Sequence, residues 1–368
     1  MKRSGDLSWV VLLLVFAAFG SSYQHLKELP LAIDGFNQTA SLPGADDTAG
    51  TPSPTINDPR SLPGYHDPDM VEFTTLYVPD EDQFWVREDK PSCLNPGERP
   101  VSDDELAISS YLQLIATTRM GAAVLQDLEG FNTAICFDRD YDLADAGGIY
   151  SQLYRAIIFR ADATVLQRVQ IIAHELRHAW QDQRKFLRSG MTIEDELTLT
   201  LAIEADADAF AMAVMWELHA SRGPNAWPAA QREILDPEIA VAFTLEMRNL
   251  ASNPTAYDYY LRNAMRAAYL AWFRDTENDE FYVARMAARY RSRPMIGSRR
   301  LADVLPNIVD LGRFPGQLDA DRTSYLDMFE ISQAYRRAAE HMPQFQNRVN
   351  GTHVAQVRKS GQSGLRFY

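Results

Sequence analysis

The chain has 368 residues, and 46% of them are hydrophobic, which is enough to bury one large domain or one and a half. Its 36 basic and 50 acidic residues give a formal net charge of −14. This acidic balance argues against a nucleic-acid partner, because phosphate binding requires a basic surface.

The first 20 residues have the pattern of an export signal. Lys2 and Arg3 precede an apolar run, and small residues follow at Ala18 and Gly20. The run is shorter than the roughly 20 residues that span a bilayer. We expect a cleaved signal peptide, with an uncleaved signal anchor as the alternative. Either one places the remaining chain outside the cytoplasm, in the periplasm or tethered to the membrane.

Residues 21–67 are dense in Pro, Gly, Asp and Thr and lack apolar periodicity, so a disordered linker is predicted there. A single domain is predicted over residues 68–343, with a core at 102–223 and a helical part at 224–343. Residues 344–368 are predicted to be a polar tail.

The first predicted helix begins at Ser102, which forms a capping-box pattern with Glu105, and runs to about residue 128. Two β-like runs follow, at residues 133–137 and 155–160. Pro and Gly separate five later helices, predicted at residues 237–250, 256–275, 279–291, 299–311 and 322–341. These patterns predict an α+β fold that is predominantly α-helical, with a small β-sheet and a helical C-terminal subdomain.

A further helix is predicted over residues 164–186, and it contains His174, Glu175 and His178 in an HExxH pattern. Positions i and i+4 share one helix face, so both imidazoles can reach one metal ion. Glu175 then lies beside that ion, where its carboxylate can take a proton from water. The alternative to a metal site is an ordinary amphipathic surface helix without a catalytic role.

The next helix is predicted over residues 192–220, without Gly or Pro. It places Glu204 and Asp208 on one face. Glu204 can supply the third ligand of a zinc ion, and Asp208 can accept the second ring N–H of a ligand histidine. Asp206 lies about 160° from Asp208 around the helix, so a solvated side chain is predicted for it. Its alternative role is as the third ligand in place of Glu204.

The HELRH segment followed by Glu204-x-x-x-Asp208 resembles the gluzincin branch of zinc metallopeptidases. The run Glu204-x-x-Ala207-Asp208-x-Phe210-Ala211 is similar to the second-helix signature of metallopeptidases that cleave phage repressors. With the flanks AICFDRDYD and AHELRHAWQ, the chain most resembles a bacterial metallopeptidase family of unknown function. The likeness covers residues 102–223.

The resemblance implies a zincin-like active-site helix, with zinc at His174, His178 and Glu204 and with Glu175 as general base. It also implies that the strand before this helix, residues 155–160, is an edge strand that pairs with the substrate backbone. Many relatives have Gly where this chain has Arg177, so Arg177 must find room at the site or point to solvent.

Stabilising an oxyanion requires a further donor, for which Tyr257, Tyr259, Tyr260 and His219 are the candidates, and the sequence does not choose among them.

Cys93 and Cys136 are the only two cysteines. Export would place them in an oxidising compartment, so a disulfide is predicted between them. The alternative is two separate buried thiols, because free cysteine is among the residues most often buried.

The function that these patterns favour is zinc-dependent hydrolysis of peptide bonds in a peptide or protein substrate by a metal-activated water. One alternative is a zinc amidase that acts on cell-wall or other non-peptide amides. Another is a binding or regulatory protein with a structural metal. Three protein ligands with an open cleft would indicate an enzyme, and four ligands would indicate a structural metal.

Overall fold

The structure, a computed structural model, describes residues 92–95, 98–138, 147–160, 162–188, 190–220, 226–248, 250, 256–292, 297–316 and 323–349. All of them belong to His66–Tyr368, one of the two units into which the chain divides. The predicted signal segment (1–20), the predicted linker (21–67) and residues 350–368 of the predicted tail lie outside the described residues. Within the described ranges, no helix is long and apolar enough to cross a membrane.

Four strands form one mixed sheet in the part of the chain that is described. They are Ser92–Leu94 (β1), Ala134–Asp138 (β2), Gly148–Ser151 (β3) and Ala156–Arg160 (β4). Their spatial order is β1-β2-β4-β3, with β2 and β4 parallel and the other two pairs antiparallel. The expectation that residues 155–160 form an edge strand was therefore wrong. The first four residues of β4 are a continuous buried apolar run, which is typical of an interior strand.

The sequence did not predict β3, which lies at the end of the sheet beside β4. It is only four residues long, and glycine begins it. All four residues are buried. Two strands, β3 and then β4, therefore precede the HExxH helix, and a tight connection joins them. The first of them in the chain, β3, lies at the end of the described sheet.

A disulfide joins β1 to β2. Cys93 and Cys136 are directly opposed in the antiparallel pair, and their Cα atoms are 4.0 Å apart. Cys136 is fully buried and packs with Ile149, Ala156 and Ile158 on one face of the sheet. The bond therefore ties the short first strand to the middle of the sheet.

The predicted helix from residue 102 to residue 128 is two helices, Asp103–Ala116 (α1) and Arg119–Asp127 (α2). Thr118 separates them, because its hydroxyl accepts a hydrogen bond from the Gly121 amide and donates one to the Ile115 carbonyl. A Cβ at Gly121 would lie 2.2 Å from the Ile115 oxygen, so the tight turn requires glycine there. The predicted capping box at Ser102 and Glu105 is present.

Two long helices form the centre of the molecule. Val165–Gln183 (α3) begins at a capping box between Thr164 and Gln167 and packs against β3 and β4. Ile193–Ala220 (α4) begins after Thr192, whose hydroxyl accepts a hydrogen bond from the Asp195 amide. Most residues of α4 are buried on every side, as in a helix that other helices surround. It packs against α3 through a stretch rich in alanine, which lets the two backbones approach closely.

The remaining described helices are Ala226–Ala230 (α5), Pro237–Met247 (α6), Tyr257–Trp272 (α7), Thr276–Ser292 (α8), Leu301–Val304 (α9) and Met328–Val349 (α10), with a 3₁₀ turn at Ile308–Gly312. Helices α7, α8 and α10 pack against α4. The prediction of an α+β fold dominated by helices, with a small sheet, is confirmed.

Two C-terminal helices differ from their predicted bounds. The helix predicted over residues 299–311 is a short helix followed by a 3₁₀ turn, because Pro306 lies between them and cannot continue a helix. Helix α10 begins and ends several residues later than predicted, so its last turns take in the start of the predicted polar tail. Phe345 keeps those turns ordered: it is buried against Tyr290, with ring centroids 5.6 Å apart.

The disulfide is expected to contribute substantially to stability. Replacing both Cys93 and Cys136 by alanine should lower the free energy of unfolding by about 4 kcal/mol, because the bond closes a loop across a sequence separation of 43. Urea unfolding without reductant measures the difference. Reductant should destabilise the natural chain and leave the double variant unchanged. Two free thiols in denatured, unreduced protein would contradict the bond.

Candidate metal centre

Three side chains from α3 and α4 converge at one buried point. His174 and His178 project from α3, Glu204 projects from α4, and one ligand atom of each lies within 4.8 Å of the others. The two Nε2 atoms are 2.9 Å apart. Glu204 Oε2 lies 3.2 Å from His178 Nε2 and 3.4 Å from His174 Nε2. The structure thus brings together the three residues proposed from the sequence as metal ligands.

The outer nitrogen of each imidazole meets an acceptor. His174 Nδ1 lies 2.8 Å from Asp208 Oδ1, which is the contact that the sequence predicted. His178 Nδ1 lies 2.7 Å from Gln181 Oε1. A carboxylate and an amide oxygen can only accept here, so both Nδ1 atoms carry the proton and donate it. A neutral imidazole of this tautomer presents its lone pair at Nε2, and both Nε2 atoms lie on the side of Glu204.

These acceptor atoms create a site that favours positive charge. Burial lowers the pKa of His174, but the charge and hydrogen bond of Asp208, with the hydrogen bond of Glu204, raise it to about 10. Burial raises the pKa of Glu204, but the charges and hydrogen bonds of the two histidines outweigh burial and hold it far below its usual value. Two nitrogens and one carboxylate are a donor set that suits a divalent transition metal, so the residues present fit a metal ion.

Glu175 differs from its neighbours because its charge has no hydrogen-bonding partner. The side chain is fully buried, and neither carboxylate oxygen has a partner in the described part of the chain. Burial raises its pKa to about 7 against the lowering effect of His174 and His178. A carboxylate of this kind costs stability, and it is poised to exchange a proton near neutral pH.

The strand β3 passes next to this carboxylate. A Cβ built on Gly148 would lie 3.2 Å from Glu175 Oε1 and only 2.5 Å from Ile171 Cγ2. Any larger residue at position 148 would push the strand away from α3. Glycine therefore lets the edge of the sheet lie directly beside the proposed catalytic acid–base group.

Asp206 is buried, and the prediction of a solvated side chain was wrong. Helix α4 has no solvent-facing side at this position, and the charge is neutralised by Arg177. The guanidinium donates from Nε to Asp206 Oδ2 at 2.8 Å and from Nη2 to Oδ1 at 3.1 Å. Because Asp206 is occupied in this way, it does not join the cluster of possible ligands.

Arg177 is also buried, so it does not point to solvent. Its guanidinium lies 4.0 Å from the centroid of the Trp180 ring. Nη2 also donates to the backbone carbonyls of Leu311 and Arg313, at 2.6 and 2.9 Å. The large side chain therefore fits because its charge meets Asp206, its planar face meets Trp180, and Nε and Nη2 are hydrogen-bonded; the buried Nη1 has no hydrogen-bond partner in the described part of the chain.

Tyr282 was missed by the sequence analysis. Its hydroxyl donates to Glu204 Oε2 at 2.8 Å from helix α8. None of the four candidates for an oxyanion donor makes a described hydrogen bond to the cluster, and two of them have partners elsewhere: Tyr257 donates to Glu217, and His219 contacts the Met215 carbonyl. Only the fold brings Tyr282 to Glu204, 78 positions away, so no local pattern could have indicated it.

A sequence family described as "Putative metallopeptidase family (DUF6782)" matches residues 86–299, which is more than half of the chain. The chain belongs to this family. The predicted membership of a metallopeptidase family of unknown function is thereby confirmed, and the match includes the whole of α3 and α4. No curated protein and no solved structure matches the chain.

The buried pair of Arg177 and Asp206 is expected to be essential for stability. Asp206→Leu should lower the free energy of unfolding by about 3–5 kcal/mol, because Arg177 would keep a buried charge without its carboxylate. The double variant Arg177→Leu/Asp206→Leu should recover part of that loss. Urea unfolding of the three proteins measures both effects.

A comparison pair sets the scale for that experiment. The carboxylate of Glu340, about half exposed on α10, lies 3.8 Å from Arg336 and 3.1 Å from Arg337. Glu340→Ala should cost less than about 1 kcal/mol. If Asp206→Leu cost no more than Glu340→Ala, the stabilising role of the buried pair would be refuted.

Proposed function

We propose that the protein is a zinc-dependent metallopeptidase of the gluzincin type. The observation that carries the proposal is Glu175, a fully buried carboxylate without a hydrogen-bonding partner in the described chain, next to a cluster of three ligand atoms. Folding alone does not favour such a group, because an unsatisfied buried carboxylate destabilises the native state. Its position next to a metal cluster gives it a chemical role.

In this proposal His174, His178 and Glu204 hold the zinc ion. Asp208 and Gln181 orient the two imidazoles by accepting their outer N–H groups. Tyr282 orients Glu204 by donating to its Oε2. When bound, zinc acts as a Lewis acid that activates water and polarises the carbonyl of the scissile bond.

Glu175 moves the proton. Its carboxylate takes a proton from the attacking water, and the protonated acid then gives that proton to the leaving amine. Burial favours the protonated form of Glu175, so the group can hold the proton between the two transfers. The surrounding apolar side chains exclude bulk water, so the proton is not lost to solvent between the two steps.

The proposed substrate is a peptide or protein, as the name of the family indicates. The strand beside Glu175 at the end of the described sheet is β3, so pairing with a substrate backbone would use β3 and not β4. Because β3 is buried, such pairing requires local opening of the site.

The ligand count favours an enzyme over a structural metal. Among the described residues, the cluster comprises three His, Cys, Asp or Glu side chains, and Asp208 contacts the outer nitrogen of His174 instead of facing the centre. Three ligands leave a coordination position for water, whereas a structural site uses four. An amidase that acts on non-peptide amides would use the same residues, and only substrate assays separate it from a peptidase.

We include export in the proposal. The Cys93–Cys136 disulfide and the apolar leader both fit an oxidising compartment, in the periplasm or on a membrane anchor that faces away from the cytoplasm.

The metal assignment predicts distinct results for ligands and base. The full chain should bind about one zinc ion, and His174→Ala, His178→Ala or Glu204→Ala should abolish that binding, because each removes one of three ligands. Glu175→Gln should keep the metal and lower peptide hydrolysis by at least about a hundredfold, because an amide cannot accept the proton. Metal analysis and a peptide-library assay with and without chelator measure the two properties.

One outcome would refute the ligand set. If Glu204→Ala retained zinc with unchanged affinity, the third ligand would have to be another carboxylate. Cleavage of non-peptide amides without cleavage of any peptide would support the amidase and overturn the peptidase.

Replacing Asp208 should have an effect on zinc binding that lies between no change and complete loss. Asp208→Ala should weaken zinc binding about 10- to 100-fold without abolishing it, because it removes the acceptor that orients His174 and leaves the ligand itself in place. Chelator competition measures the affinity. Unchanged affinity would show that this hydrogen bond does not orient the ligand.

A further inference from the structure

Gln181 connects His178 to a buried ionic network. Its Oε1 lies 2.7 Å from His178 Nδ1, and its Nε2 donates to Asp206 Oδ2 at 2.8 Å and to the Ile203 carbonyl at 3.0 Å. The side chain is fully buried. We propose that Gln181, held in one orientation by Asp206, is the positioning residue of His178. This proposal rests on the proposed function, because it treats His178 as a metal ligand.

The orientation of the amide follows from its partners. A carboxamide can rotate by 180° and exchange its oxygen with its nitrogen. Here the nitrogen side faces two acceptors, Asp206 and the Ile203 carbonyl, so rotation would break two hydrogen bonds and place oxygen against oxygen. The amide oxygen must therefore face His178. It accepts the Nδ1 proton and leaves the Nε2 lone pair for the metal.

Asp206 is fixed in turn from the far side. Arg177 binds both of its oxygens, and the hydroxyl of Tyr325 donates to Oδ1 at 2.5 Å. Arg177 is itself held by the carbonyls of Leu311 and Arg313. The contacts that lead away from His178 thus reach Leu311, Arg313 and Tyr325. These three residues lie outside the range matched by the family, 86–299.

The two histidines are oriented by different chemistry. His174 contacts the carboxylate of Asp208 directly. His178 contacts the neutral amide of Gln181, and the nearest negative charge along this path is on Asp206, which binds the other end of that amide. A carboxylate at position 181 would add a negative charge beside Glu204 and Asp206. The amide transmits the orientation without that repulsion.

The experiment measures zinc affinity of the full chain by competition with a chelator. Gln181→Leu should lower the affinity about 10- to 100-fold, because His178 loses the acceptor that fixes its tautomer. Gln170→Leu is the matched control: Gln170 is also fully buried on α3, but its Oε1 accepts from the Leu235 amide, away from the metal cluster. Gln170→Leu should leave zinc affinity within about twofold while far-ultraviolet circular dichroism confirms folding of both variants.

A reciprocal exchange tests the contact between Gln181 and Asp206. Gln181→Glu alone should also weaken zinc binding, because two carboxylates would meet where a donor and an acceptor now meet. The double variant Gln181→Glu/Asp206→Asn keeps the total charge and restores a donor opposite an acceptor, so the folded protein should recover part of the lost zinc affinity. Its free energy of unfolding should nevertheless fall, because Asp206→Asn leaves the buried charge of Arg177 without its carboxylate. The electronic spectrum of bound Co²⁺ should shift in Gln181→Leu and return towards that of the natural chain in the double variant.

A measurement on the unaltered chain keeps the test independent of variant folding. ¹⁵N nuclear magnetic resonance of the zinc-loaded protein should show a protonated Nδ1 and a metal-bound Nε2 for His178. A metal-bound Nδ1, or unchanged zinc affinity in a folded Gln181→Leu variant, would overturn the role of Gln181. Failure of the natural chain to bind zinc, or binding that survives His178→Ala, would instead overturn the proposed function.

Discussion

Burial of charge between α3 and α4 is the constraint on which the rest of this structure depends. Glu175, Glu204, Asp206 and Asp208 are all removed from water there, and each ionised carboxylate is costly unless an opposite charge or donor meets it. Asp206 has Arg177, and Asp208 has a histidine N–H. Glu204 has the Nε2 atoms of two imidazoles on one side, whose charges and hydrogen bonds hold its pKa down, and the hydroxyl of Tyr282 on the other. A divalent cation at the proposed site would complete this arrangement electrostatically, because it would supply positive charge where acceptors converge.

The sheet and the disulfide support the region between α3 and α4 from the far side of α3. The sheet packs one face against α3, and its end strand reaches Glu175 only because Gly148 has no side chain. The bond between Cys93 and Cys136 fixes the opposite end of the sheet. Helix α3 is thus held between a rigid sheet and the alanine-rich face of α4. This is the arrangement expected of a site whose ligands must keep their positions to within about half an ångström.

Local spacing predicted the elements of the site that lie within one helix turn of each other. His174 and His178 share a face, as do Glu204 and Asp208, because the geometry of a helix fixes these relations without knowledge of the fold. Partners contributed by distant segments could not be predicted in this way. Tyr282 lies on another helix, and the pairing of Arg177 with Asp206 depends on how two helices cross. Gln181 carried a usable signal, since position i+3 places it on the face of His178.

The fold shows the same division. Apolar residues at helical spacing predicted α3, and a long stretch without Gly or Pro predicted α4. Strand order and the break at Thr118 depend instead on contacts that a single segment does not encode. The edge assignment failed because a strand that precedes a helix in sequence need not lie beside the open edge of the sheet. The short strand β3 carried too few residues for its alternation to be visible.

The pairing of Arg177 with Asp206 has a consequence for the history of the family. Replacing either residue alone leaves a buried charge without its partner. Positions 177 and 206 are therefore expected to change together among homologues. A homologue with glycine at position 177 is expected to carry an uncharged residue at position 206, and to have lost the need for the hydroxyl of Tyr325. Such a paired exchange would keep both histidines but would change the contacts that hold Gln181 against His178. Homologues could thus share an identical HExxH segment and still differ in what holds it in place.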